Sequence, residues 1–121
     1  MRGVRLHNSG AFFEAHEAWE ELWKAEVDVP PRRFLQGLIQ VTAAFHKLLV
    51  QRGPASAQSL LARGLKKLDA YPPEYLGVAL GDFRDEARAC VPLIASLERS
   101  RAGVDAFDRA KVPQLRFAGG E

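Results

Sequence analysis

Between Pro30-Pro31 and Gly53-Pro54 runs a stretch that only one kind of surroundings can satisfy. At about 100° per residue, Phe34, Leu35, Leu38, Ile39, Val41, Thr42, Phe45, Leu48 and Leu49 cover well over half the circumference of a helix predicted over residues 31–52. A helix that is apolar on nearly all sides belongs in the middle of a set of helices, because no single neighbour can cover it. The proline pair starts it. Gly53 stops it, and Pro54 opens the next helix, predicted over residues 54–70. So short a joint makes the two helices antiparallel neighbours. Ala57, Leu60, Leu61, Gly64, Leu65 and Leu68 form the inner face of the second of them, with Lys66 and Lys67 pointing outward.

The flanking segments follow from the same rules. A helix is predicted over residues 10–26, capped by Asn8 or Ser9, with Glu14 and Glu17 at the positive end of its dipole. Residues 1–7 read as a loosely attached lead-in. Residues 74–81 read as a tight turn or one helical turn. A further helix, capped by Asp82, is predicted over residues 82–100 with an inner stripe of Phe83, Ala87, Cys90, Val91, Ile94 and Leu97 and a kink at Pro92. The tail from residue 103 has no period, but Phe107, Val112, Leu115 and Phe117 can anchor it in a groove, leaving Gly119-Gly120 free. The expected architecture is a single all-α domain over residues 1–121, an antiparallel four-helix bundle with an irregular tail at 103–121 packed along it. At 47% apolar residues, the chain carries enough for one core.

Charge and cysteine content remove several function classes. The net charge of +2 is too small to imply a polyanion, and Arg32-Arg33 and Lys66-Lys67 read as isolated, solvated pairs, so no nucleic-acid partner is expected. One cysteine, Cys90, excludes a disulfide framework and a thiolate metal cluster, and its apolar context reads as core. No leader-like or membrane-spanning run is present, so a cytoplasmic protein without a membrane partner is expected.

The chemistry-bearing stretch is residues 12–23, Phe-Phe-Glu-Ala-His-Glu-Ala-Trp-Glu-Glu-Leu-Trp. Phe12, His16, Trp19 and Trp23 fall within one arc of roughly 60° on a helix, with Glu20 on its border. An imidazole and a carboxylate are thus set in the most aromatic surface of the chain, one turn apart and expected to face the interior. Four-residue spacing lets two side chains chelate one ion, and imidazole with carboxylate suits zinc, manganese or iron. The segment resembles the zinc-protease pattern, but Glu20 stands where that pattern has its second histidine. Two ligands are too few for a closed site. His46, on the following helix, is the best third candidate; His7 is a poorer one. Phe12, Phe13, Glu17, Trp19, Trp23, Gln36 and Gln40 are expected to line the pocket, either glutamine being placed to partner His16.

Gly10, the run Phe13-Glu14-Ala15-His16-Glu17, Glu20 and Trp23, followed by Phe34-Leu35-Gln36-Gly37-Leu38-Ile39-Gln40, resemble the uncharacterised bacterial and archaeal family called domain of unknown function 309. The resemblance covers residues 6–68, a family-like core extending to about residue 70. It implies an all-helical fold and a proposed metal-binding role for His16 and Glu20. Two readings of function follow. In one, a His/Glu polar site between the first two helices holds a divalent metal or a small polar ligand. In the other, the chain is a helical interaction module or homo-oligomer in which the pair is only a hydrogen-bond network.

Overall fold

The computed structural model describes residues 2–97, 99, 101 and 103–118, so the expected helix end at residue 100 and the free glycines at 119–120 lie outside the described residues. The fold is all-α apart from one tiny hairpin. Five helices are formed among the described residues: α1 (Arg2–Asn8), α2 (Phe12–Ala25), α3 (Val29–Leu49), α4 (Pro54–Leu68) and α5 (Leu80–Leu97). Strands β1 (Glu74–Tyr75) and β2 (Val78–Ala79) pair antiparallel between α4 and α5.

Helix α3 is central, as its all-round apolar surface requires: Phe34, Leu38, Val41, Ala44, Phe45 and Leu48 are fully buried. It packs on α2 and on α4, while α4 also meets α5 and α1 lies on α2. The α3–α4 contact is close because two glycines face each other across it. A Cβ on Gly64 would lie 2.7 Å from Val41 Cγ2 and 3.0 Å from the Gly37 carbonyl oxygen. The C-terminal end of α4 is closed by Arg84, whose guanidinium donates to the Leu68 and Tyr71 carbonyls at 2.8 and 2.6 Å. A cation there also opposes the negative end of the helix dipole.

Several local expectations are corrected. Residues 2–7 are not a loose lead-in; with Asn8 they form α1, with Gly3, Val4 and His7 buried. A seven-residue helix has little stability alone, so tertiary packing holds it. Asn8 and Ser9 do not cap α2: Ser9 Oγ donates to the Leu6 carbonyl, Asn8 reaches the tail, and the residue preceding α2 is Ala11, without a side-chain cap. Helix α3 begins two residues earlier than expected, with Pro30 inside its first turn. Val91 is 40% exposed and so is not part of the inner stripe of α5. That helix runs through Pro92.

Residues 74–79 are a hairpin with a two-residue loop, Leu76 and Gly77, whose φ values are +49° and +79°, and residues 80–81 already belong to α5. Two successive positive φ angles are the mark of a type I′ turn, which suits glycine and asparagine far better than leucine. Leu76 is half in solvent and contributes little burial. Leu76→Asn is therefore expected to stabilise the protein by about 0.5–1 kcal/mol, read by denaturant titration; a loss of stability would show that the leucine packs against something.

The tail lies along the helices, with Phe107, Val112 and Leu115 buried. Its backbone is read by side chains far away in sequence. Asn8 donates to the Leu115 carbonyl at 2.7 Å and accepts from its N–H at 2.8 Å. Glu86 accepts from Gln114 N–H and from Arg116, both at 2.9 Å. Arg116 and Ala118 then bond to the hairpin, where Val78 bridges Phe117. No helix among the described residues is long and apolar enough to cross a membrane.

Candidate functional site

Helix α2 divides its arc of aromatic and polar residues between core and surface. Trp19 is fully buried, and Phe12 nearly so. Trp23 is half-buried at the end of α2, where the Arg32 guanidinium sits 4.2 Å from its ring centroid. Arg32 Nε also donates to the Trp23 carbonyl at 3.4 Å. This aromatic–cation pair closes the α2–α3 corner and is worth about 0.5–1 kcal/mol at an exposed position. Phe13 is 51% exposed, and Glu17 is exposed.

His16 Nδ1 lies 3.7 Å from Glu20 Oε1, and the two side chains are 29% and 38% exposed. The expectation that this pair faces the interior is corrected: it stands at the rim of α2, partly in water. The buried face of α2 is Phe12, Ala15, Ala18 and Trp19, and His16 and Glu20 lie at its edges. His16 instead walls a cleft of about 180 Å³ with Phe13, Ala43, His46, Lys47 and Gln51. Glu20 turns to a separate shallow surface shared with Glu17, Glu21 and Lys24. Among the described residues no three of His, Cys, Asp and Glu are grouped so as to hold a metal ion.

His46 is half-buried, with its ring 5.7 Å from that of Phe13. Its Nδ1 is buried and has no hydrogen-bond partner. Gln40, expected to meet His16, is committed to the other side of α3, where its amide oxygen accepts from Lys67 Nζ at 2.8 Å. Gln36 is half-buried on the same helix and is absent from the cleft lining. Lys47 and Gln51 were missing from the expected pocket; they follow His46 on the last turn of α3 and beyond, a proximity that helical spacing alone signals.

His7, the weaker sequence candidate, is with Thr42 one of two buried polar residues among the described residues. It is fully buried, between the rings of Phe12 and Phe83 at 5.4 and 5.6 Å. Its Nε2 lies 2.8 Å from the Pro113 carbonyl oxygen, and its Nδ1 lies 3.1 Å from Thr42 Oγ1. A carbonyl only accepts, so Nε2 carries the proton; the neutral ring then accepts the Thr42 hydroxyl at Nδ1. Burial pushes the His7 pKa below its usual value, only partly opposed by the Pro113 carbonyl. Every His7 nitrogen is in use, which leaves none for a metal. Cys90 is buried, its Sγ 3.2 Å from the Lys111 carbonyl oxygen. Burial, aided by Glu86, pushes its thiol up to about 11, so it is no nucleophile at neutral pH.

Two comparisons place the chain among known sequences. The family model described as Domain of unknown function (DUF309) matches residues 1–60. An uncharacterized protein of Aquifex aeolicus (strain VF5) is 29% identical over 77 residues, covering 64% of this chain. The match takes up only 23% of that relative's length. The chain belongs to the DUF309 family, and the residues that carry the match include all of α1, α2 and α3.

Proposed function

We propose that this member of the DUF309 family is a binding protein for a small polar ligand, seated in the cleft between α2 and α3. The observation that carries the reading is His46 Nδ1, a buried ring nitrogen without a partner in a wall shared with His16. An unpaired buried polar atom costs about 1–3 kcal/mol, which a ligand atom would recover. The wall supplies two imidazoles, the Lys47 ammonium and the Gln51 amide above the apolar Phe13 and Ala43. That set of donors suits a carboxylate on a short carbon skeleton. A volume of about 180 Å³ limits the ligand to a handful of heavy atoms.

A second reading, a divalent metal, is favoured by the 3.7 Å approach of Glu20 to His16. His16 and Glu20 would hold the ion with His46 after side-chain rotation, and zinc, manganese or iron suit such donors. The ion would supply Lewis acidity to a bound water or carbonyl. A third, purely structural reading gives the pair the value of an exposed i,i+4 contact, about 0.3–0.5 kcal/mol.

One titration separates them. Tag-free protein is titrated with succinate and, in parallel, with zinc, while the histidine ring resonances are followed. Saturable shifts of the His46 ring with succinate, abolished in His46→Phe, are the expected result. Stoichiometric zinc uptake lost in both His16→Ala and Glu20→Ala would move the assignment to the metal. Ring signals that respond to neither probe would leave only the structural pair.

A further inference from the structure

The fold draws together charges that lie far apart in sequence. Between Asp28 and Asp69 the chain has no acidic residue, yet it carries Arg32, Arg33, Lys47, Arg52, Arg63, Lys66 and Lys67. That segment is the α3–α4 hairpin with its flanking turns. The protein's small net charge therefore conceals a segregation: the hairpin holds seven cations and none of the 15 acids.

The pairs at 32–33 and 63–67 are not isolated from one another. Gly37 packs against Leu68 and Gly64, and Gly64 against Val41, which fixes the antiparallel register of the two helices. In that register Gln40 on α3 meets Lys67 on α4, and Arg33, Arg63 and Lys66 lie close enough to act on the Lys67 charge. Lys67 is half-buried at the seam, its Nζ held 2.8 Å from Gln40 Oε1. Arg63 is braced by Ser59 Oγ at 2.9 Å. Ion pairs among the described residues engage Arg2, His16, Arg52, Arg88 and Arg116, and none engages Arg33, Arg63, Lys66 or Lys67. Four cations thus gather about one helix seam, and among the described residues their side-chain acceptors are a neutral amide and a hydroxyl.

We propose that this face of the α3–α4 hairpin, centred on Lys67, is a binding site for phosphate-ester anions. A phosphoryl group offers a compact double negative charge and several acceptor oxygens, which matches two guanidiniums and two ammoniums presented together. It would also relieve repulsion within the cluster. Burial, followed by Arg33, Arg63 and Lys66, holds the Lys67 pKa below its ordinary value, in keeping with such crowding. The site is separate from the α2–α3 cleft: none of its four cations lines that cleft.

The phosphate has two sources, a free small molecule or the backbone of a polynucleotide, and the test distinguishes them. Pyrophosphate and a single-stranded oligonucleotide are titrated separately into the full chain at low salt. Saturable pyrophosphate binding with a Kd of about 1 mM or tighter identifies a small-molecule site. Oligonucleotide binding without a pyrophosphate response identifies a backbone site, with affinity falling steeply as salt rises. In either case Lys67→Ala and Arg63→Ala should each weaken binding by about tenfold or more. Lys24→Ala, which removes the same unit of charge from α2, should change it by less than about twofold. Arg63 is exposed, so its variant keeps the test valid should Lys67→Ala unfold. Absence of saturable binding of both probes would overturn the proposal. So would equal losses in Lys24→Ala and Arg63→Ala, which would show a diffuse charge effect.

Discussion

Replacing His7 by alanine is expected to cost about 3 kcal/mol or more of stability, measured by denaturant unfolding at pH 7.5. The ring satisfies two distant groups at once, the Thr42 hydroxyl on α3 and the Pro113 carbonyl of the tail. Each would be left buried and unpaired at about 1–3 kcal/mol. A void would also open between Phe12 and Phe83, whose rings pack on it at 5.4 and 5.6 Å. His7→Gln, which keeps a donor and an acceptor, should recover part of the loss.

The same residue sets an acid limit. The folded-state pKa of His7 lies below the ordinary 6.5, so the unfolded chain takes up the proton first as pH falls. Its contribution to stability is therefore complete above pH 6.5 and declines as pH drops from there towards the lowered folded-state value. The steepest decline one such group produces is about 1.4 kcal/mol per pH unit. Wild-type protein should lose stability across that window, and the loss should be smaller in His7→Gln. Parallel pH profiles for the two would refute the assignment of a neutral, buried His7.

Trp19→Ala is expected to be the most damaging single substitution, at about 3–5 kcal/mol. Trp19 is wholly buried, and α1 rests on it through Gly3: a Cβ at Gly3 would come within 2.6 Å of Trp19 Cε2. Gly3→Val alone should cost about 1–3 kcal/mol by overpacking. In the double variant the valine can enter the space left by the indole, so the two losses should fall short of additive by about 1 kcal/mol. Full additivity would mean that α1 does not pack on Trp19 as described. Trp19 Nε1 is itself buried without a partner. Trp19→Phe should accordingly cost much less than Trp19→Ala, because it removes that orphan donor along with some volume.

Much of the helical plan was legible because its signals are local. The all-round apolar surface of α3, the Gly53-Pro54 joint and the small residues at 37 and 64 are each read within a few turns of chain, and they require a central helix with an antiparallel neighbour. The i,i+4 approach of His16 and Glu20 was equally legible, since helical spacing alone brings them together. Their exposure was not. Whether the rim of an arc is covered depends on where the neighbouring helix ends, and periodicity carries no information about that.

The amino-acid order by itself marked the four longer helices to within a few residues, and showed that α3 lies within. Only the tertiary structure decided that residues 2–8 form a helix, that the unpatterned tail is fastened to Asn8, Glu86 and the hairpin, and that four cations from two helices gather about one seam. The reason is the range of the forces involved. Helix propensity and hydrophobic periodicity act over neighbours, whereas His7 meets partners 35 and 106 positions away, and a contact of that span leaves no trace in the spacing of residues along the chain.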